Sequence, residues 1–128
     1  MPCRILQLVP TVVVVVFYKT NKLTELSKFY EDIVGCALWL DQGGCKIYQF
    51  GNMLIGFCQR EGIADVGALI TFFYEDKSKV AEMYHKIKNK AAAEPKDNPA
   101  YRIYHFYAED PDGRPVEFQY FWDKMKDY

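Results

Sequence analysis

Asp110-Pro111-Asp112-Gly113-Arg114-Pro115-Val116-Glu117-Phe118 joins a turn signature to the start of a strand. Proline early and glycine late are what a tight turn needs, since proline has its φ preset and glycine takes a positive φ without steric cost. Residues 102–109 before the turn and 115–121 after it are rich in aromatic and β-branched side chains, so the segment reads as a hairpin. Along 115–121 strand alternation sends Pro115, Glu117, Gln119 and Phe121 to one face and Val116, Phe118 and Tyr120 to the other.

Working outward, residues 68–74 form another strand. Residues 76–90 form a helix with Val80, Met83, Tyr84 and Ile87 as its apolar stripe. Residues 91–100, with Pro95 and Pro99, are a loop with room for a short edge strand, and the C-terminal half reads β-α-β-β-β. The N-terminal half reads the same way. Val12 to Val16 suit a strand covered on both faces, because branching at Cβ favours the pleated conformation and unbroken apolarity leaves no solvent face. This run is too short for a membrane span, is broken at Pro10-Thr11, and is followed by no small-residue cleavage site. Thr20 or Asn21 then caps a helix through Ile33, with Leu23, Leu26, Phe29, Tyr30 and Ile33 at helical spacing and Gly35 as the stop. Strands over 37–41, 45–50 and 53–59 follow, with Gln42-Gly43-Gly44 and Gly51-Asn52 as turns.

The halves superimpose by their own residues. Phe17-Tyr18 answers Phe73-Tyr74, Phe29-Tyr30 answers Met83-Tyr84, and Gly51-Asn52-Met53-Leu54-Ile55 answers Gly113-Arg114-Pro115-Val116-Glu117. The same order at similar separations points to a duplicated unit. The expected organisation is one domain over 1–128, made of modules at about 10–60 and 66–122 with a tail at 123–128. With Phe29-Tyr30-Glu31-Asp32-Ile33-Val34-Gly35 and the Asp110–Phe118 stretch quoted above, the chain resembles the vicinal oxygen chelate superfamily of glyoxalase I, bleomycin-resistance proteins and extradiol dioxygenases. The resemblance implies an α+β fold of two βαβββ modules, whose mixed sheets curl around a central cleft with the helices outside.

It also implies where a metal would sit, because metal-dependent members take four His, Gln or Glu donors from the first and last strand of each module. Those positions fall here at about Val13, Ile55, Leu69 and Glu117, three of them aliphatic, and one-residue shifts supply no donor. A lone carboxylate holds such an ion poorly. No cofactor is therefore expected, with a divalent metal at Glu117 as the alternative.

The strand faces then define a cleft lined by Phe17, Phe57, Thr71, Phe73, His105, Tyr107, Glu117 and Gln119. Glu117 and His105 are its chemical candidates, as catalytic acid or base if the protein is an enzyme, or as groups that orient a ligand. The alternative for each is a structural role, Glu117 tied to His105 or to a backbone amide. Cys58, by the parity that places Phe57 inward, turns away from the cleft. The four cysteines include no C-x-x-C pair and read as free thiols in a reducing cytoplasm rather than as a disulfide framework. Sixteen Lys+Arg against seventeen Asp+Glu leave no basic footprint for nucleic acid. Ten Tyr and nine Phe suffice to line a cavity or to fill a core. The leading reading is a cytoplasmic homodimer that binds a small apolar or aromatic molecule without metal and acts by sequestration. The alternatives are a metal-dependent lyase or dioxygenase of the same superfamily, and an interaction module without a small ligand.

Overall fold

The computed structural model describes residues 14–123. The first module runs β1 Val15–Thr20, helix α1 Leu23–Lys28 with a π-helical continuation Phe29–Val34, β2 Ala37–Asp41, β3 Cys45–Phe50 and β4 Met53–Gln59. The second runs β5 Ile70–Tyr74, α2 Lys77–Ile87 with a 3-10 turn Lys88–Lys90, β6 Lys96–Asn98, β7 Ile103–Glu109 and β8 Pro115–Phe121. Each module forms a four-stranded mixed sheet, ordered β1-β4-β3-β2 and β5-β8-β7-β6, in which the first strand pairs parallel with the last. Among the described residues the two sheets remain separate and do not close into one barrel.

The boundaries of β2, β3, β4 and β8 are those the sequence predicts, because turn residues flank each of them. Gly35 ends the first helix at φ +88°, and the Cys36 amide donates to the Tyr30 carbonyl at 2.8 Å. The helix starts later than expected. Lys22 is its N-cap residue, and Thr20 Oγ1 accepts from the Lys22 amide at 2.9 Å while Gln59 Oε1 accepts from the Leu23 amide at 3.0 Å. α2 has the simpler cap, with Asp76 Oδ1 accepting from the Ser78 amide at 2.9 Å and these bonds holding the Asp76 carboxyl below the usual range.

The valine run is the main departure. β1 begins at Val15, and Val12 and Val13 lie outside the described residues. The strand is not covered on both faces, for Val14 is 70% exposed and Phe17 47%. Among the described residues β4 is its one strand neighbour, which makes β1 an edge strand. β2 is the opposite edge, with Leu38, Trp39 and Leu40 all exposed around an irregularity in its pairing with β3.

One apolar core spans both modules. Leu26, Phe29 and Tyr30 of the first helix and Val80, Met83 and Ile87 of α2 pack with the inward faces of both sheets. The Tyr30 ring stacks on Phe57 at 4.7 Å, and Phe50 meets Phe72 of the other module edge-on at 4.8 Å. Among the described residues no helix is long and apolar enough to cross a membrane.

The cysteine expectation is corrected. Cys45 and Cys58 are direct partners across β3 and β4 and form a disulfide, and Cys36 is a free, buried thiol that burial pushes up to about 12. The thirteen-residue separation carries no pairing signature, and only the hairpin register brings the two sulfurs together.

Candidate functional site

On the face of the second sheet turned away from the helices, the register aligns Thr71, Glu117 and Tyr107 across β5, β8 and β7, and Phe73, Gln119 and His105 beside them. Glu117 is 5% exposed and both its oxygens are engaged. Thr71 Oγ1 donates to Oε1 at 2.8 Å, and His105 Nδ1 lies 2.7 Å from Oε2. With the carboxylate as acceptor, Nδ1 carries the proton, and the second ring nitrogen, Nε2, is left to meet a ligand. His105 is itself 5% exposed, and its ring meets Tyr107 edge-on at 5.1 Å. Burial, then the Glu117 charge, raises the Tyr107 hydroxyl above its ordinary pKa, so this half-exposed ring presents a neutral phenol.

Two cavities flank this cluster. His105 and Tyr107 border a small one of about 120 Å³, closed by Ala92, Ala93 and Lys96, with Lys96 the register neighbour of His105. Thr71 borders the other, about 310 Å³ at the seam of the modules, walled by Tyr18, Phe50, Ile55 and Phe72. The chain Thr71–Glu117–His105 runs from one to the other.

His105, Tyr107, Glu117 and Gln119 thus come together through the alternation of one hairpin, and Thr71 joins them through the parallel pairing of β5 with β8. Phe17 and Phe73 lie on the expected sheet faces, but Phe57 does not. Phe57 is fully buried and stacked on Tyr30 beneath the helix, not in the cleft. Phe17 lies on the face of the first sheet that corresponds to the Glu117 face of the second, over Gly56, where an added Cβ would come within 2.4 Å of its ring. It lines a third cavity of about 650 Å³ that contains none of the polar cluster. Phe73 packs edge-on against Phe121 at 5.3 Å.

The physical reason is a one-residue slip between the halves. Ile55 was matched with Glu117, but Ile55 faces the helix, as Val116 and Phe118 do; the strand positions on the Glu117 side of β4 are Leu54 and Gly56. The counterparts on β1 and β5 also move, since Leu69 precedes β5 and Thr71 is the residue opposite Glu117, while Val13 lies outside the described residues.

The same frame tests a metal. The residues at the four strand positions are Val15 or Phe17, Leu54 or Gly56, Thr71 and Glu117, with His105 beside them. No group of three or more His, Cys, Asp or Glu converges among the described residues. A carboxylate and an imidazole already bonded to each other do not fit a divalent ion that takes three or four protein donors.

Sequence reasoning did not find the polar network beneath the Asp110–Arg114 turn. Asp110 Oδ1 accepts from the amides of Asp112 and Arg114, and Oδ2 from Tyr30 Oη at 2.7 Å and Arg114 Nη1 at 2.5 Å. Arg114 Nε donates to the Asp65 carbonyl at 2.8 Å, and its guanidinium lies over the rings of Tyr18 and Phe57. Thr20 Oγ1 donates to Asp112 Oδ1 at 3.0 Å. Burial alone would lower the Arg114 pKa, but Asp110 beside it holds it above the usual value. The turn thereby fastens the second module to α1 and β1 of the first. An arginine after a turn glycine was the available signal.

Searches of known family profiles and of curated proteins find no match to the sequence. Solved structures do match. Lactoylglutathione lyase from Agrobacterium tumefaciens superimposes with a TM-score of 0.68 at 20% identity, over 87% of this chain and 94% of that one. A glyoxalase/bleomycin resistance protein/dioxygenase from Nocardioides gives 0.69 at 12% identity, over 94% and 90%. A glyoxalase-related enzyme from Fulvimarina pelagi gives 0.70 at 16% identity, over 87% and 88%. The chain has the α+β fold of the glyoxalase, bleomycin-resistance and dioxygenase proteins, the vicinal oxygen chelate fold.

Proposed function

We propose that this protein binds a small apolar or aromatic organic molecule without a metal, using Glu117 and His105 as the polar anchor, and acts by sequestering it. The observation that carries the reading is the buried Glu117 carboxylate, bonded on one side to Thr71 at the seam cavity and on the other to His105. Burying a carboxylate and an imidazole is costly unless they are paired, and the pair leaves one ring nitrogen for a ligand group. A cavity of about 310 Å³ with aromatic and aliphatic walls suits the apolar part of such a molecule, and the smaller space beside Lys96 suits a polar substituent. Burial of 200 Å² of ligand surface would supply about 5 kcal/mol before association costs are deducted.

A cytoplasmic homodimer belongs to the same proposal, with exposed Leu38, Trp39 and Leu40 on edge strand β2 as the surface in its favour. So does the organisation of the chain as one domain of two modules. A thermal-shift screen of small aromatic and apolar compounds, followed by calorimetry on wild type, Glu117→Gln and His105→Gln, tests the binding reading. Hits whose affinity drops about tenfold or more in both variants support it, corresponding to about 1.4 kcal/mol. Hits that bind both variants as tightly as wild type would refute the anchor, and a screen without hits would refute the function.

A further inference from the structure

We propose that the Cys45–Cys58 disulfide is a thiol-exchange site in the wall of the 650 Å³ cavity, and that its reduction by a low-molecular-weight thiol loosens the β2–β3 loop bounding that cavity. This site is independent of the Glu117–His105 cluster, with which the cavity shares no residue.

Three observations carry it. Both cysteines are half-buried and line the cavity together with Phe17, Lys19, Gln42 and Arg60, so the disulfide faces a space large enough for a small thiol and not the apolar core. The charges around it are mixed: Glu61 and Asp65 also line the cavity, but Asp65 Oδ2 is taken up by the Lys19 amide at 2.8 Å. Lys19 is the register partner of Cys58 across β1 and β4, and Arg60 follows two residues later, so cationic residues flank Cys58, the sulfur assigned as the leaving group. The third observation is how lightly the loop is otherwise held. Gln42 N donates to the Cys45 carbonyl at 2.8 Å, Gln59 N to the Gly44 carbonyl at 2.8 Å, and Gly43 N to Asp41 Oδ1 at 2.8 Å. Beyond the disulfide, the β3–β4 ladder continues from Lys46 and Phe57 to Phe50 and Met53 over a packed core, so the sheet does not need the bond in order to persist.

A thiolate RS⁻ in the cavity attacks Cys45 Sγ; the Cys45–Cys58 bond breaks, R–S–S–Cys45 forms, and the electron pair leaves on Cys58 Sγ beside Lys19. A second RS⁻ attacks the R sulfur of the mixed disulfide, releasing RSSR and the Cys45 thiolate. Two thiols are oxidised to one disulfide, the protein disulfide is reduced to two thiols, and the two protons lost by RSH pass to the cysteines or to solvent.

The test uses the chain purified without reductant, titrated under native conditions with dithiothreitol, alkylated at each point and mapped by peptide mass. The expected result is labelling of Cys45 and Cys58 while Cys36 stays unlabelled and the helical circular dichroism is unchanged. Amide hydrogen exchange should rise about tenfold or more at residues 41–46 and 58–61 and stay constant in β5 to β8. With 2-mercaptoethanol and an acid quench, a single adduct should be trapped on Cys45. The C45S/C58S variant should reproduce the reduced exchange pattern; should it fail to fold, chemically reduced wild type supplies the comparison. Resistance of the bond to native reduction, simultaneous labelling of Cys36, or absence of the bond in the oxidised chain would overturn the proposal. An adduct on Cys58 alone would overturn the assigned direction of attack.

Discussion

Replacing Arg114 with methionine removes a cation that is 0% exposed and leaves Asp110, itself 2% exposed, as a buried carboxylate without its counter-ion. Three side-chain hydrogen bonds go with it, to Asp110, Asp112 and the Asp65 carbonyl, together with contacts over Tyr18 and Phe57. Breaking a buried pair from one side costs about 3–5 kcal/mol, a large share of the roughly 5–15 kcal/mol that holds a domain of this kind together. Asp110→Asn removes the negative charge but keeps an oxygen for the amides of Asp112 and Arg114. In the double variant the methionine strands only Asp112 and no longer Asp110, and the cycle should show a coupling of about 2 kcal/mol. Urea unfolding followed by circular dichroism gives the free energies. The two tryptophans add a second readout, because Trp39 lies in the first module and Trp122 follows β8 in the second. If the network fastens the modules, fluorescence of single-tryptophan versions should report coincident transitions in the wild-type background and separated ones after Arg114→Met. A loss below about 1 kcal/mol, or a cycle without coupling, would refute the reasoning.

Tyr74→Phe should stabilise the protein by about 1 kcal/mol, because the Tyr74 hydroxyl is buried and has no hydrogen-bond partner among the described residues; urea midpoints check it. Tyr30, Tyr48 and Tyr74 all have their hydroxyls raised by burial, so their contribution to stability is complete below pH of about 10, the unfolded value, and is lost as pH rises from there through the folded values. Alkaline unfolding followed by tyrosinate absorbance should therefore be cooperative, and stepwise titration of free tyrosines would contradict it. Protein purified without chelator should hold no stoichiometric divalent transition metal by mass spectrometry, and a metal lost in Glu117→Ala would return the search to lyase and dioxygenase chemistry.

The elements were legible because their causes are local. Helical spacing in Val80, Met83 and Ile87, glycine at 35, and turn residues at 42–44, 51–52 and 110–113 fix type and boundary without reference to the rest of the chain. The shared face of Glu117 and His105 was legible for a related reason, since both lie on one hairpin, where the turn sets the register and alternation sets the face, while their contact was one alternative among two. Faces compared between the two halves were not. A slip of one residue in matching Ile55 to Glu117 moves a whole strand to the opposite side, and it placed Phe57 in a cleft when it belongs under Tyr30.

Sequence alone thus carries two βαβββ modules and a common sheet face for Glu117 and His105, since period and turn chemistry act over a few residues. The tertiary structure alone decided that Cys45 bonds Cys58, that Arg114 and Asp110 fasten the modules through Tyr30, and that the aromatic walls belong to Tyr18, Phe50 and Phe72. Each of these depends on which strand lies beside which and at what register, a choice made by burial summed over the whole chain and carried by no single segment.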